Sequence, residues 1–402
     1  MQKQKPMNRN YFLSIAIFVF ILVTTVVVVL FAKGYRFGLD TGKLELSGTG
    51  LLVTKSIPDG AQVFLNDHLT TATDNTINLS PKTYRVKIFK DGYFPWEKDI
   101  EIRAEVVSKA EALLFPKAPK LESITDIGVL NPVIDPSQTR IAFIVASQSA
   151  RKNGIYVFDM SSRPILTLQS ATTQLTDDTA DLFSRANLTW SPDGKQLIAT
   201  ISGTLDSPTS YLLESSGFNS NPRNVTEILA SVDSTWKQQK TSKEKAQINS
   251  LSSKLRPIVR SSFSIMAWSP DDTKILYKAS ASAEIPLVIK PRLIGANPTK
   301  EIRSIEEGKI YIYDIKEDRN YALDESYFSE TYAWLSDSSH LIFVKDKQIS
   351  AIEYDGLNKT TIYAGPFING YVFPWPDLSR IVTLTDLGNS QIDPNLYTIS
   401  LK

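Results

Sequence analysis

One string limits the folds open to this chain, because it is written five times. The segments "VIDPSQTRIAF" around Pro136, "TWSPDGKQLIA" around Pro192, "AWSPDDTKILY" around Pro270, "AWLSDSSHLIF" around Ser336 and "VFPWPDLSRIV" around Pro376 share one layout. Five positions after the anchor stands an apolar residue: Ile141, Leu197, Ile275, Leu341 and Ile381. Two positions before it stand Ile134, Trp190, Trp268 and Trp334, with Phe373 one position earlier in the fifth copy. Each copy reads as strand, type I turn, strand, since proline fixes φ at the second turn position, Asp or Ser bonds local backbone, and Gly194 tolerates positive φ. Further strands, "GIYVFDM", "GKIYIYDI", "ISAIEYDG" and "NLYTISL", follow at intervals and read as outer strands. Units of four short strands that cannot bury an apolar face alone, repeated along the chain, predict an all-β propeller over residues 118–402, with five visible repeats, five blades and six as the alternative.

The anchors are spaced 56, 78, 66 and 40 residues apart. A plain blade needs about 40 to 50, so two insertions are expected, near 204–262 and 280–304. The first contains "DSTWKQQKTSKEKAQINSLSSKLR", residues 233–256, without Gly or Pro and with Ile248, Leu251 and Leu255 at helical spacing. Its lysines Lys237, Lys240, Lys243 and Lys245 read as the wet face of a helix lying on the propeller. The alternative is a docking surface for an acidic envelope polymer or partner. The second insertion, "ASAEIPLVIKPRLIGANP", is a proline-punctuated apolar loop holding Pro286 and Pro291. Loops of that length tend to carry function, and this one is expected over a mouth of the central channel. These six residues are the candidate partner surface.

At the other end, residues 11–32, "YFLSIAIFVFILVTTVVVVLFA", carry no charge. That matches the ~20 residues a helix needs to cross ~30 Å of hydrocarbon and exceeds the apolar core of about 7 to 15 residues of a cleaved secretory signal. Lys3, Lys5 and Arg9 precede it, which favours a cytoplasmic tail (1–10), a single transmembrane helix and a chain otherwise outside the cytoplasm. After a juxtamembrane linker (33–50), residues 51–117 alternate apolar and polar between Pro, Gly, Asn and Asp turns; in "TYRVKIF", Tyr84, Val86 and Ile88 point one way and Arg85 and Lys87 the other. This predicts a small antiparallel sandwich.

Two resemblances add to these readings. "IPDGAQVFLND" with Pro58-Asp59-Gly60-Ala61, then "LSPKTYRV", then "KDGYFPW" resembles the PEGA domain of bacterial envelope and surface proteins, although Lys82 stands where similar domains place Gly. The resemblance implies an immunoglobulin-like spacer or binding module and brings no catalytic residue. The five repeats resemble the propellers of TolB-like and WD-repeat-like proteins.

Composition excludes much chemistry. The chain of 402 residues has 44 basic and 43 acidic side chains and no cysteine. A near-zero net charge offers no field for nucleic acid, and thiolate metal sites and disulfides are impossible. The two histidines, His68 and His340, sit at turn positions and are expected to be exposed. No hydrolase, zinc or P-loop signature occurs, and Trp190, Trp268 and Trp334 read as core packing rather than sugar stacking. The expectation is therefore a non-enzymatic, membrane-anchored extracytoplasmic protein of the cell envelope with no cofactor, metal or catalytic residue, binding an envelope protein or a cell-wall or surface glycan. A receptor with a ligand site in the propeller channel, and a propeller-based hydrolase or lyase, are the alternatives.

Overall fold

The computed structural model describes residues 9–32, 36–40, 43–161, 171–202, 208–328 and 331–402. The chain forms two compact units: Met1–Asp91 with Pro95–Leu114 and Arg292–Thr299, and Gly92–Phe94 with Phe115–Pro291 and Lys300–Lys402. In the first, α1 (Arg9–Ala32) contains a stretch, Phe12–Val29, long and apolar enough to cross a membrane, with none of it buried in protein. Within the segment read as a linker, β1 (Arg36–Asp40) and β2 (Lys43–Ser47) pair as an antiparallel ribbon.

The sandwich has two sheets. One orders β6 (Asn75–Leu79), β3 (Gly50–Ile57) and β9 (Val107–Leu113); the other orders β5 (His68–Ala72), β4 (Gln62–Leu65), β7 (Thr83–Phe89) and β8 (Trp96–Glu101). The alternation read in "TYRVKIF" holds: Tyr84, Val86 and Ile88 are buried and Thr83 and Arg85 exposed. Fully burying side chains such as Val86 and Ile88 stabilises the domain by roughly 1.5–3 kcal/mol each. Asn66 and Asp67 both take positive φ in the two-residue turn joining β4 to β5, the backbone whose twist matches that of the paired strands. One expectation fails. The sandwich is not antiparallel throughout, because β9 crosses over from β8's sheet to lie parallel to β3, Leu51 against Val107 through Ile57 against Leu113.

The second unit is five four-stranded antiparallel sheets among the described residues. Sheet 5 begins with β10 (Leu121–Ser123). Sheet 1 is β11 (Leu130–Ile134), β12 (Arg140–Val145), β13 (Gly154–Asp159) and β14 (Thr172–Asp177). Sheet 2 is β15 (Ala186–Trp190), β16 (Gln196–Ile201), β17 (Thr209–Glu214) and β18 (Arg223–Asn224). Before sheet 3 come α2 (Leu229–Ser250) and α3 (Arg256–Ser262); the sheet is β19 (Phe263–Trp268), β20 (Lys274–Ala279), β23 (Ile310–Asp314) and β24 (Arg319–Leu323), with β21 (Ala283–Glu284) and β22 (Ser304–Ile305) as a side ribbon. Sheet 4 is β25 (Tyr332–Trp334), β26 (His340–Lys345), β27 (Gln348–Glu353) and β28 (Thr360–Tyr363). Sheet 5 is completed by β29 (Val372–Pro374), β30 (Arg380–Thr385) and β31 (Asn395–Ser400), against which β10 pairs.

Second strands such as β12 and β30 are buried at five of six positions, because neighbouring sheets cover both of their faces; β12 is a near-continuous apolar run, whereas β30 buries Thr383 and Thr385 among its apolar residues. Sheet 1 packs on sheet 2 through Ile155, Leu175, Phe183 and Leu197. It packs on sheet 5 through Phe143, Phe158, Val382 and Leu384, and sheet 3 packs on sheet 4 through Leu276, Ile312, Trp334 and Phe343. The strands read as outer, from "GIYVFDM" to "NLYTISL", are the third of four; a fourth lies outside each, polar in β14 and only two residues long in β18. An edge strand needs few apolar side chains, so it leaves little trace in sequence.

Candidate functional site

The repeated turns are built by one set of hydrogen bonds. The residue before each anchor donates its N–H to the carbonyl five residues on: Asp135 to Arg140, Ser191 to Gln196, Ser269 to Lys274, Leu335 to His340 and Trp375 to Arg380. Its own carbonyl accepts from Gln138, Gly194, Asp272, Ser338 and Leu378 respectively. All five of those residues have φ between 56° and 69°, although only one is glycine. "SPD" and "DPS" turn out to be interchangeable. In the second and third copies the Ser191 and Ser269 hydroxyls donate to Asp193 and Asp271 at 2.7 and 2.8 Å, whereas in the first the Ser137 hydroxyl donates to Asp135. The residue before the anchor then accepts a backbone N–H in each case, from Arg140, Gln196 and Lys274 at 2.8–2.9 Å. Burial opposes the charge on Asp271, but hydrogen bonds from Thr273, Ser269 and Ser338 outweigh it and hold its carboxyl well below the usual range.

These five turns meet. Pro136, Pro192, Pro270, Ser336 and Pro376 all line one cavity of about 810 Å³, within the range of small-ligand sites. The inner strand β19 contributes Ile265 through Trp268, and sheet 5 contributes Pro374 and Trp375. Helix α2 supplies Gln239, Lys240, Lys243, Glu244 and Gln247, a set spaced 1, 3, 1 and 3 residues apart that occupies one helical face. Gln247 ties the helix to the third turn by donating to Asp272 Oδ1 at 2.7 Å. The helix lacks internal Gly and Pro, buries Trp236, and ends at Ser250 rather than running on to Leu251 and Leu255 as the spacing predicts. Those two leucines, in the link to α3, are buried in the core of sheet 3. The chain thus moors α2 near both ends and leaves its middle, mostly polar, beside the cavity.

Of the six candidate residues, Lys240 and Lys243 line the cavity, while Lys237 and Lys245 are exposed on the same helix outside it. Pro286 and Pro291 are absent from its walls, and so is the rest of the loop 281–298. Ile285 of this loop is buried in the sheet 3 core, and Arg292–Thr299 belong to the sandwich unit. There Gly295, at φ 79°, lies so close to the Val107 carbonyl that a Cβ would sit 3.0 Å from it. Of the tryptophans, Trp190 and Trp334 are buried as read, but Trp268 is half-buried and lines the cavity with Trp375.

The first residue of each second strand, Arg140, Gln196, Lys274, His340 or Arg380, reads as exposed from its varied polar identity. For Lys274 and His340 this is wrong: they are 8% and 6% exposed, His340 with Nδ1 2.6 Å from Asp337 Oδ2 and its ring edge-on to Phe115. The position faces the neighbouring repeat, and its identity follows that neighbour. Arg140 donates to Ser215 and Gly194 and lies over the Trp190 ring, whereas Lys274 pairs with Asp314 at 3.6 Å and lies over Tyr354. Burial pushes the His340 pKa down, but its hydrogen bond to Asp337 and the charges of Asp337, Glu353 and Asp355 prevail and raise it. His68 is exposed in β5. Among the described residues no three His, Asp or Glu side chains group as metal ligands do.

Residues 49–116 match the PEGA domain family. No curated protein matches the chain. Among solved structures, the chain is similar to a putative TolB from Agrobacterium tumefaciens at 14% identity, over 68% of this chain and 74% of that one, with a TM-score of 0.22. It is similar to TolB from Acinetobacter baumannii at 14% identity over 79% of this chain, spanning 60% of that protein, with a TM-score of 0.24. The β-propeller domain of the Trilobed protease from Pyrococcus furiosus shares 12% identity over 88% of this chain and 96% of that domain, with a TM-score of 0.24. Likenesses so distant transfer no residue role; the propeller-like fold is read from the five sheets.

Proposed function

We propose that this chain is a non-enzymatic, membrane-anchored protein of the bacterial cell envelope that binds an extracytoplasmic partner. In this reading α1 is an uncleaved single span with a cytoplasmic N-terminus, the PEGA domain is a spacer or second binding module, and the five-sheet unit is the principal binding platform. One observation carries it: the turns of all five repeats, dispersed over 240 residues from Pro136 to Pro376, line a single cavity that α2 borders with two lysines. The cavity's volume also supports a second reading, a receptor for a smaller ligand.

A photocrosslinking residue at position 239 of the full chain, in membranes of its own host, is the test. A discrete envelope adduct is expected from position 239 and none from Arg223 on β18. No adduct from either, or equal adducts from both, would remove the case for this platform.

A further inference from the structure

We infer that the cavity at the five turns is a binding site for an acidic oligosaccharide, a sugar chain carrying carboxylate or phosphate groups. This rests on the binding reading above and names its ligand class. Two features that look bland separately in the sequence, a lysine run and a repeated tryptophan, are brought to the same cavity. Lys240 and Lys243 project there from α2, and neither has a hydrogen-bond or ion-pair partner among the described residues; of the two carboxylates on the same lining, Asp272 accepts from Gln247 and Glu244 stands on the lysines' own helix face. Both lysines are exposed, so their ammonium groups are open to carboxylate or phosphate groups spaced along a sugar chain.

The remaining walls suit sugars. Trp268 and Trp375 supply large, partly exposed aromatic rings, Trp375 with Arg380 over it at 5.3 Å, and Pro136, Pro192, Pro270 and Pro376 add C–H faces. Rings of this kind pack against the C–H faces of a pyranose while hydroxyls bond at the rim. Side-chain amides and hydroxyls of Gln138, Gln239 and Ser336, with no partner among the described residues, are spaced around the cavity for that bonding. A peptide is recognised best by main-chain donors along a sheet edge. Here four of the five anchors are prolines, which have no N–H to give, and β19 carries a register shift between Ile265 and Ala267 where it reaches the cavity. Side-chain recognition of a polyhydroxylated anion fits this wall better.

Calorimetric titration of the full chain in detergent micelles tests this with three probes: tetragalacturonate, uncharged maltotetraose and a tetraglutamate peptide. Tetragalacturonate should bind, and K240Q/K243Q should weaken it by about tenfold, a loss expected for two partly desolvated charge contacts. K237Q/K245Q, altering lysines outside the cavity, should change binding by less than about twofold. Maltotetraose should bind at least about tenfold more weakly. W375F, which retains an apolar ring should the larger change W375A fail to fold, should weaken the acidic and neutral sugars alike. No tetragalacturonate binding, equal binding of maltotetraose, or indifference to K240Q/K243Q would overturn the proposal. Tighter binding of tetraglutamate would overturn it in favour of a peptide. If position 239 still yields an envelope adduct while tetragalacturonate fails to bind, the platform stands and the ligand class falls.

Discussion

The two insertions that stretch the repeat spacing are held in opposite ways. The loop leaving sheet 3 is fixed by a buried polar clasp: Asp318, whose side chain is wholly buried, accepts the N–H groups of Val288 and Ile289 at 2.8 and 2.9 Å and the Tyr313 hydroxyl at 2.7 Å. Arg303 pairs with Asp318 at 3.1 Å and donates to the Pro286 carbonyl at 3.0 Å. Helix α2 is held by apolar side chains near its ends, while Lys240, Lys243 and Glu244 beside the cavity have no partner among the described residues. Satisfied buried polar groups specify one conformation, and unsatisfied exposed ones remain free to meet a ligand. The segment that looks more functional in sequence, apolar and proline-rich, is thus the structural one, and the bland charged helix is the one beside the site.

The largest effect should come from breaking the clasp. Asp318→Ala leaves Arg303 buried without its counter-ion and should cost about 3–5 kcal/mol of stability, read by chemical or thermal unfolding. A loss below about 1 kcal/mol would mean that the loop is not held this way. Removing an apolar mooring is next: Leu255→Ala deletes a side chain 1% exposed in the sheet 3 core and should cost about 2–4 kcal/mol. Hydrogen exchange should then show faster opening of α2 than of residues 283–289; the reverse would erase the contrast between the insertions.

The clasp should also respond to acid where the helix does not. Burial opposes the charge on Asp318, but the Ile289 and Val288 N–H groups, Tyr313 and Arg303 overcome it and lower its pKa. A carboxyl with a lowered folded-state pKa contributes stability that is complete above its unfolded value of about 3.9 and is lost as pH falls through the folded one. Protection of Val288 and Ile289 should therefore weaken on acidification in that window. Asp318→Asn should flatten the dependence, and an unchanged profile in that variant would assign the acid response elsewhere. His340 has the opposite sign: its raised pKa gives stability present below about 6.5 and lost as pH rises through the folded value.

How much of this was legible depends on which residues carried it. The five anchors, the apolar span and the Tyr84, Val86, Ile88 face could be read because each is a local pattern, a repeated layout, an unbroken apolar run and a strict alternation, and such patterns survive without knowledge of the fold. The left-handed residue after each turn could not, since Gln138, Asp272, Ser338 and Leu378 advertise nothing and the preference shows only at Gly194. Nor could the burial of His340, where equivalence along the chain hides differences between neighbours. The position of α2 beside the cavity was invisible for a related reason. A helix of low amphipathicity does not declare which face it turns to its own fold, and only the arrangement of five distant turns shows that Lys240 and Lys243 line the cavity and Lys237 and Lys245 do not.

That division leads to the smallest effect. Replacing all four lysines with glutamine should change stability by no more than about 0.5 kcal/mol, because exposed side chains without partners contribute little to folding. A larger loss would show that these charges hold α2 in place, making the helix as structural as the clasped loop. A gain confined to K240Q/K243Q would have a different meaning. These two lie with five prolines, two tryptophans and the carboxylates Glu244 and Asp272 around one cavity, which Lys237 and Lys245 do not line. A small stabilisation on neutralising them, absent in K237Q/K245Q, would mark two cations retained against the fold's own interest, as expected of residues kept for a ligand.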